Sequence, residues 1–289
     1  MFVALATCFD LPDWEVDDQA LRDALSARGV RFEEPAWNDP RVDWSAFDAC
    51  LIRTTWDYME QREAYLAWAE RVASVTPLYN PPQIVRWNTH KSYLAELATK
   101  GLPVTPTIWL AAGARADVGE LMKRRGWTRG FIKPMVGATA RETLRFEADE
   151  LGLRAAQSHL DRTLVREGMM LQPYLPSVES EGEISLVFVE GALTHAVRKI
   201  PVPGDYRVQD DFGAADEPYE PRTDESALAR RVLESVDPSL LYARVDFLRD
   251  SGGQLRLSEL ELVEPSMFFR HGRLAAERLA DGLIRRMTR

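Results

Sequence analysis

Three acids close to the C-terminus, Asp246, Glu259 and Glu261, sit in the stretch YARVDFLRDSGGQLRLSELELVEP. Gly252-Gly253 reads as a two-residue hairpin turn, because a type I′ turn needs positive φ at both central positions. That turn sets Asp246 directly opposite Glu259. Glu261 follows on the same face with Arg244 across from it, and Leu260 and Leu262 point the other way. Two like charges about 4 Å apart repel by about 1 kcal/mol in water and about 4 kcal/mol at an effective dielectric of 20. A hard divalent cation relieves that conflict, since Mg²⁺ binds carboxylate oxygens together with substrate phosphates. A solvated strand face, with Arg244 absorbing one charge, is the alternative reading.

A second stretch, GFIKPMVGATARET, brings a lysine, Lys133, to a strand end. It then runs through Gly137, Ala138, Thr139 and Ala140 with no bulky side chain before Arg141. A cation beside a bare loop suits an anion lying against the backbone. Alone, Lys133 and Lys91 (in WNTHK) read equally well as solvated or snorkelling lysines. Together with the acid triplet they would gather cations and a metal around a polyphosphate, as phosphoryl transfer requires. In EISLVFVEGALTHAVRKIP, a turn at Glu190-Gly191 would put Glu183 across the ladder from Arg198, beside Lys199, where a plain cross-strand ion pair is also expected. Arg53, in IRTTWDY, stands at the carboxyl end of a strand, where α/β folds place ligands. It is a candidate for a substrate carboxylate, with Thr54, Thr55 and Asp57 lining the site, although an interlobe ion pair would also explain it. Trp56 and Tyr58 read as packing residues.

The elements around these residues divide the chain. Up to about residue 98, strands FVALAT, RFEEPAW and DACLIRTTWDY alternate with helices DDQALRDALSARGV and REAYLAWAERVASV, the signature of a parallel α/β sheet. A Pro-Pro break and a helix starting near Asn88 follow, with Gly101 as its stop. Residues from about 105 to 170 read as a compact α+β unit, and the chain then turns antiparallel before a closing helix, GRLAAERLADGLIRRM. The 289 residues suggest two or three lobes. A net charge of −9 leaves no general basic field for nucleic acid or anionic lipid, so a phosphate site must be built locally. No apolar run is long enough to cross a bilayer, and the first residues lack the pattern of a signal peptide. Cys8 and Cys50 are read as buried thiols, and the four histidines form no paired motif. A cytoplasmic protein is expected.

In order, NPPQIVRWNTHK, FIKP, LQPYLP, EGEISLVF, VRKIP, DYR, ARVDF and SELELVEPS resemble the ATP-grasp superfamily in its glutathione-synthetase-like branch. More narrowly, the pattern is similar to the cyclo-ligases that form D-cycloserine from O-ureido-D-serine. The resemblance implies an α/β (α+β) ATP-grasp fold: an N-terminal substrate domain over 1–98, an ATP-grasp lid over 99–171 and an ATP-grasp core over 172–289. It implies Lys91 and Lys133 on the ATP phosphates, Gln172, Tyr174 and Leu175 at the adenine hinge, and Glu183 on the ribose. Asp246, Glu259 and Glu261 would hold two Mg²⁺ ions, with Mn²⁺ as an alternative. Arg198 or Lys199, and Arg207, would face the transferring phosphoryl group and the substrate carboxylate. Two departures stand out: the lid loop MVGATARE has one glycine where many lids have several, and Glu261 replaces a frequent asparagine. The implied activity is ADP-forming activation of a carboxylate as an acyl phosphate, attacked by nitrogen within the same small amino-acid-like molecule. An intermolecular ligase, a hydroxyl phosphotransferase and a non-catalytic nucleotide-binding protein are the rival readings. A homodimer is the default assembly.

Overall fold

The structure is a computed structural model describing residues 1–11, 17–208, 212–237 and 239–288. Three sheets carry it. The first is parallel, in the order β2-β1-β3-β4, from β1 (Phe2–Thr7), β2 (Arg31–Glu33), β3 (Ala49–Thr54) and β4 (Leu78–Tyr79). Its central strands, β1 and β3, are buried on both faces, as parallel strands covered by helices must be. Val3, Leu5, Ala49 and Leu51 pack with helices Gln19–Ala27 and Arg273–Met287, whereas Ala4, Ala6, Cys50 and Ile52 pack with Tyr65, Trp68 and Val72 of helix Arg62–Ala73.

The second sheet is antiparallel, ordered β5-β8-β6-β7, from β5 (Ile108–Leu110), β6 (Arg129–Pro134), β7 (Leu144–Glu147) and β8 (Met169–Pro173). Every residue of β8 pairs with β6, so the expected division at 171/172 falls inside a strand of this sheet. The third sheet, ordered β11-β10-β9-β12-β13, comprises β9 (Glu183–Val189), β10 (Ala192–Ile200), β11 (Ala215–Tyr219), β12 (Tyr242–Arg249) and β13 (Leu255–Glu261). The helix expected to begin near Asn88 is in fact two helices, Pro82–Asn88 and Tyr93–Thr99, with Lys91 in the turn between them. The second proline of the Pro-Pro pair starts a helix because Pro at the first helical position gives up only an N–H that has no intrahelical partner anyway.

Two bulges decide which side chains face the second sheet. The β12–β13 loop is one residue longer than a Gly252-Gly253 turn. Gly253 N donates to Asp250 O (2.8 Å), Asp250 N donates to Gln254 O (2.9 Å), and only Gly253 has positive φ. This three-residue loop slips the ladder by one. A bulge at Ser258 slips it back, so that Asp246 does pair with Glu259 and Arg244 with Glu261. On β9–β10 the Glu190-Gly191 turn forms with positive φ at both residues, but a bulge at Thr194 shifts the register beyond it. Glu183 therefore pairs with Lys199, not with Arg198, and every later side chain of β10 exchanges faces.

Candidate active site

A cavity of about 250 Å³ lies between the second and third sheets. The second sheet contributes Phe131, Lys133 and the loop Gly137–Thr143; β8 and its continuation contribute Gln172, Tyr174 and Leu175. Glu183, Lys199, Arg244, Asp246, Glu259 and Glu261 form the opposite wall, and Lys91 enters between its two helices. Thr139, Ala140 and Glu142 all adopt left-handed backbone conformations, which non-glycine residues rarely accept. At Gly137 a Cβ would lie 2.8 Å from Pro134 Cγ, so the one glycine is where the loop folds back on itself. Arg141 pins the loop to Glu167 and, through Nη2, to Val136 O at 3.0 Å. Lys91 N donates to Met135 O at 2.7 Å, fixing the turn that carries Lys91 against the same loop.

The charges interlock. Glu259 accepts from Lys91 Nζ at 2.8 Å and from Lys133 Nζ at 2.9 Å. Burial alone would raise the Glu259 carboxyl, but the two lysines more than reverse this and hold it far below the usual carboxylate range. Asp246 is held by Arg244 (Nε 3.0 Å, Nη2 2.9 Å) and lies 3.4 Å from Lys199 Nζ. There too the cations outweigh burial and lower the carboxyl. Lys199 also binds Glu183 at 2.5 Å, and Arg244 bonds Glu261. Glu261 is nevertheless pushed up to about 6, by burial, because Asp246 and Glu259 oppose the relief from Arg244. The protein thus answers the crowding of its three acids with its own cations rather than with a metal ion alone.

Among the described residues no group of three or more Asp, Glu, His or Cys is arranged as a metal site. The donor chemistry still fits a hard cation. Glu259 and Glu261 are carboxylates 23% and 28% exposed on the cavity wall, and a lysine ammonium sits on a four-carbon stem that can re-aim it. Asp246 is different: its side chain is 1% exposed and both oxygens are taken by Arg244.

Not every sequence candidate reaches the cavity. Arg198, moved by the Thr194 bulge, bonds Glu217 on β11 instead. Arg53 is buried against Asp18 (Nε 2.9 Å, Nη2 2.7 Å) and donates to Pro265 O at 3.3 Å. Thr55 pairs with the Tyr65 hydroxyl at 2.8 Å, Thr54 with Thr7 at 2.7 Å, and Asp57 accepts from Trp37 Nε1 at 2.6 Å. None of these four lines the cavity; Trp56 and Tyr58, read as packing, do. Past the end of β3 the chain turns at Trp56-Asp57 into a short 3-10 helix, Tyr58–Glu60, so strand alternation does not govern which of these side chains face the cavity. Arg207 lines the cavity while paired with Asp205 at 2.7 Å and stacked 3.8 Å over Phe212. Sequence reasoning also missed Glu264, Ser266 and Phe268, which follow β13 into the cavity. The signal for Glu264 and Ser266 lay in SELELVEPS, from which only Glu259 and Glu261 were assigned roles.

A family model described as the N-terminal domain of D-cycloserine synthetase DcsG matches residues 3–80. Cycloserine biosynthesis protein DcsG of Streptomyces lavendulae is 34% identical over 99% of this chain and 96% of its own length. The crystal structure of D-cycloserine synthetase DcsG matches with a TM-score of 0.90 at 30% identity, covering 99% of this chain and 100% of that one. The D-alanine–D-alanine ligase of Bacillus anthracis, solved in complex with ATP, shares the fold at a TM-score of 0.69 and 14% identity, over 100% of this chain and 97% of that one.

Proposed function

This chain belongs to the D-cycloserine synthetase family of ATP-grasp ligases, and from that we propose that it closes a ring by joining the carboxylate of O-ureido-D-serine to the same molecule's ureido nitrogen. A carboxylate oxygen attacks the γ-phosphorus of ATP, the bond to the bridging oxygen breaks, and ADP leaves. The nitrogen then attacks the acyl phosphate carbonyl, phosphate leaves with the bonding pair, and the nitrogen gives up its proton. No protein nucleophile is needed; alignment and charge neutralisation carry the reaction.

The observation that carries this reading is the ring of four cations, Lys91, Lys133, Lys199 and Arg244, ion-paired to the acids of one cavity. On ATP binding, Lys91 and Lys133 would exchange Glu259 for phosphate oxygens. Glu259 and Glu261, with Asp246 once Arg244 turns away, would hold Mg²⁺, two ions or Mn²⁺ in its place, whose chemistry is to neutralise the β- and γ-phosphates. The backbone around Gln172, Tyr174 and Leu175 would take adenine, Glu183 the ribose, and Arg244 with Arg207 the reacting carboxylate. The short lid loop would exclude water from the acyl phosphate.

Incubating the protein with ATP, Mg²⁺, O-ureido-D-serine and hydroxylamine tests the reading. Hydroxamate and ADP should form, and Lys133→Ala should abolish both while leaving the thermal unfolding transition in place. ADP with neither hydroxamate nor the cyclised product, or an active Lys133→Ala variant, would overturn it.

A further inference from the structure

Within the cavity one acid stands apart. Glu259, Asp246, Glu261 and Glu183 each have a lysine or arginine within ion-pair distance. Glu264 lines the same cavity, and among the described residues no lysine, arginine or histidine lies within that distance of it. Lys91 is committed to Glu259, and the Tyr58 hydroxyl favours the charged form of Glu264. Burial, with Glu261 nearby, pushes the carboxyl up to about 8. The segment is held in place: Trp56 Nε1 donates to Glu264 O at 3.0 Å, and Arg53 donates to the carbonyl of Pro265. A partly buried carboxylate facing a cavity without a cation is costly unless the ligand supplies one. Trp56, Tyr58 and Phe268 line the same cavity, and aromatic faces attract ammonium groups.

We propose that Glu264, with Tyr58 and Trp56, takes the primary ammonium group of the substrate and so selects molecules carrying a free amine beside the reacting carboxylate. This rests on the ligase reading above, because it assumes an amino-acid substrate in this cavity. The ammonium completes the one unmatched acid, while the carboxylate turns toward Arg244 and the γ-phosphate. Glu264 then sets substrate choice and orientation and takes no part in breaking bonds.

The test compares O-ureido-D-serine with its des-amino analogue, which keeps the carboxylate and ureido groups. Calorimetric binding and ADP release are measured for the wild type, Glu264→Gln and Tyr58→Phe. Wild type should favour the amine. Glu264→Gln should weaken the amine about 10- to 100-fold, the range for losing a hydrogen bond to a charged group. The des-amino analogue should change less than about 3-fold, and the KM for ATP should stay put. Tyr58→Phe should produce a smaller change of the same kind. Equal losses for both probes, or no wild-type preference for the amine, would overturn the proposal. Because the affinities are read without turnover, its failure is distinct from failure of the ligase reading, which shows as ADP release with neither hydroxamate nor cyclised product.

Discussion

Replacing Glu259 by Gln should make metal-free ATP bind more tightly, not more weakly. In the ligand-free protein Glu259 acts as the stand-in anion for two lysines, at 2.8 and 2.9 Å. At an effective dielectric of 20 each contact has a gross attraction of about 6 kcal/mol. Desolvation removes most of that, and exposed pairs retain about 1 kcal/mol or less. Removing one partner of a fully buried pair costs about 3–5 kcal/mol. The lysines are 12% and 8% exposed and Glu259 is 23% exposed, which places this triad between those limits. A loss of about 2–3 kcal/mol for the ligand-free variant follows, or roughly 3–5 °C in Tm for a chain of this size. A triphosphate returns an anion to both lysines. In wild type it must first displace Glu259; in the variant it need not. With EDTA present, calorimetry should therefore show ATP binding about 10- to 30-fold more tightly to Glu259→Gln, the equivalent of about 1.5–2 kcal/mol. Adding Mg²⁺ should favour wild type instead and erase the difference, while ADP formation by the variant falls below detection. Unchanged or weaker metal-free binding would refute the partner exchange on which the mechanism depends.

Lys199→Ala should lower kcat/KM by at least about 100-fold, since Lys199 joins Glu183 and Asp246, whereas Arg198→Ala should stay within about 3-fold because its partner is Glu217; steady-state ADP release checks both. Arg53→Ala should act on folding: it strands buried Asp18 at a cost of about 3–5 kcal/mol, visible in thermal unfolding, while the surviving folded enzyme keeps its KM for ATP. Glu264 supplies a pH signature. Its folded value of about 8 lies above the ordinary 4.5, so its contribution to stability is complete below the ordinary value and is lost as pH rises through the folded one. Ligand-free wild type should accordingly lose Tm relative to Glu264→Gln between pH 5 and pH 8, and a constant gap across that range would contradict the buried carboxyl.

The strands and helices were legible because their apolar spacing is local, and β3 announces itself as ACLIRT. What the spacing could not convey was register. The pairing of Asp246 with Glu259 follows from a two-residue turn the chain does not make; a longer loop and the Ser258 bulge offset each other. No such offset exists on β9–β10, where the Thr194 bulge exchanged Arg198 for Lys199. A bulge depends on cross-strand hydrogen bonds, here Thr194 Oγ1 to Val187 O at 3.0 Å, which a one-dimensional pattern does not encode. Arg53 was misplaced for a related reason: the end of a strand was located, but not the side on which each residue emerges. Short elements such as β4 and β11 were invisible because two to five residues carry too little periodicity.

The two bulges also explain how so many charges share one cavity without a net field pulling it open. At Thr194 the register sets Lys199, rather than Arg198, between Glu183 and Asp246, and a lysine can serve both as a single point charge. At Ser258 it keeps Glu261 beneath Arg244, whose planar fork reaches Glu261 and Asp246 together. Slipping β10 by one residue would turn Lys199 outward and leave its acids unmatched, and slipping β13 would turn Glu259 and Glu261 outward and leave their cations unmatched, a far larger penalty than the ladder bond a bulge gives up. Since each cation already holds an acid, a nucleotide with its metal has only to exchange partners pairwise. The change in charge on binding is then small at every atom, which lets a buried site bind and release so heavily charged a substrate. Glu264 is the exception to that pairing, which is why an ammonium-bearing ligand, rather than the nucleotide, is what it requires.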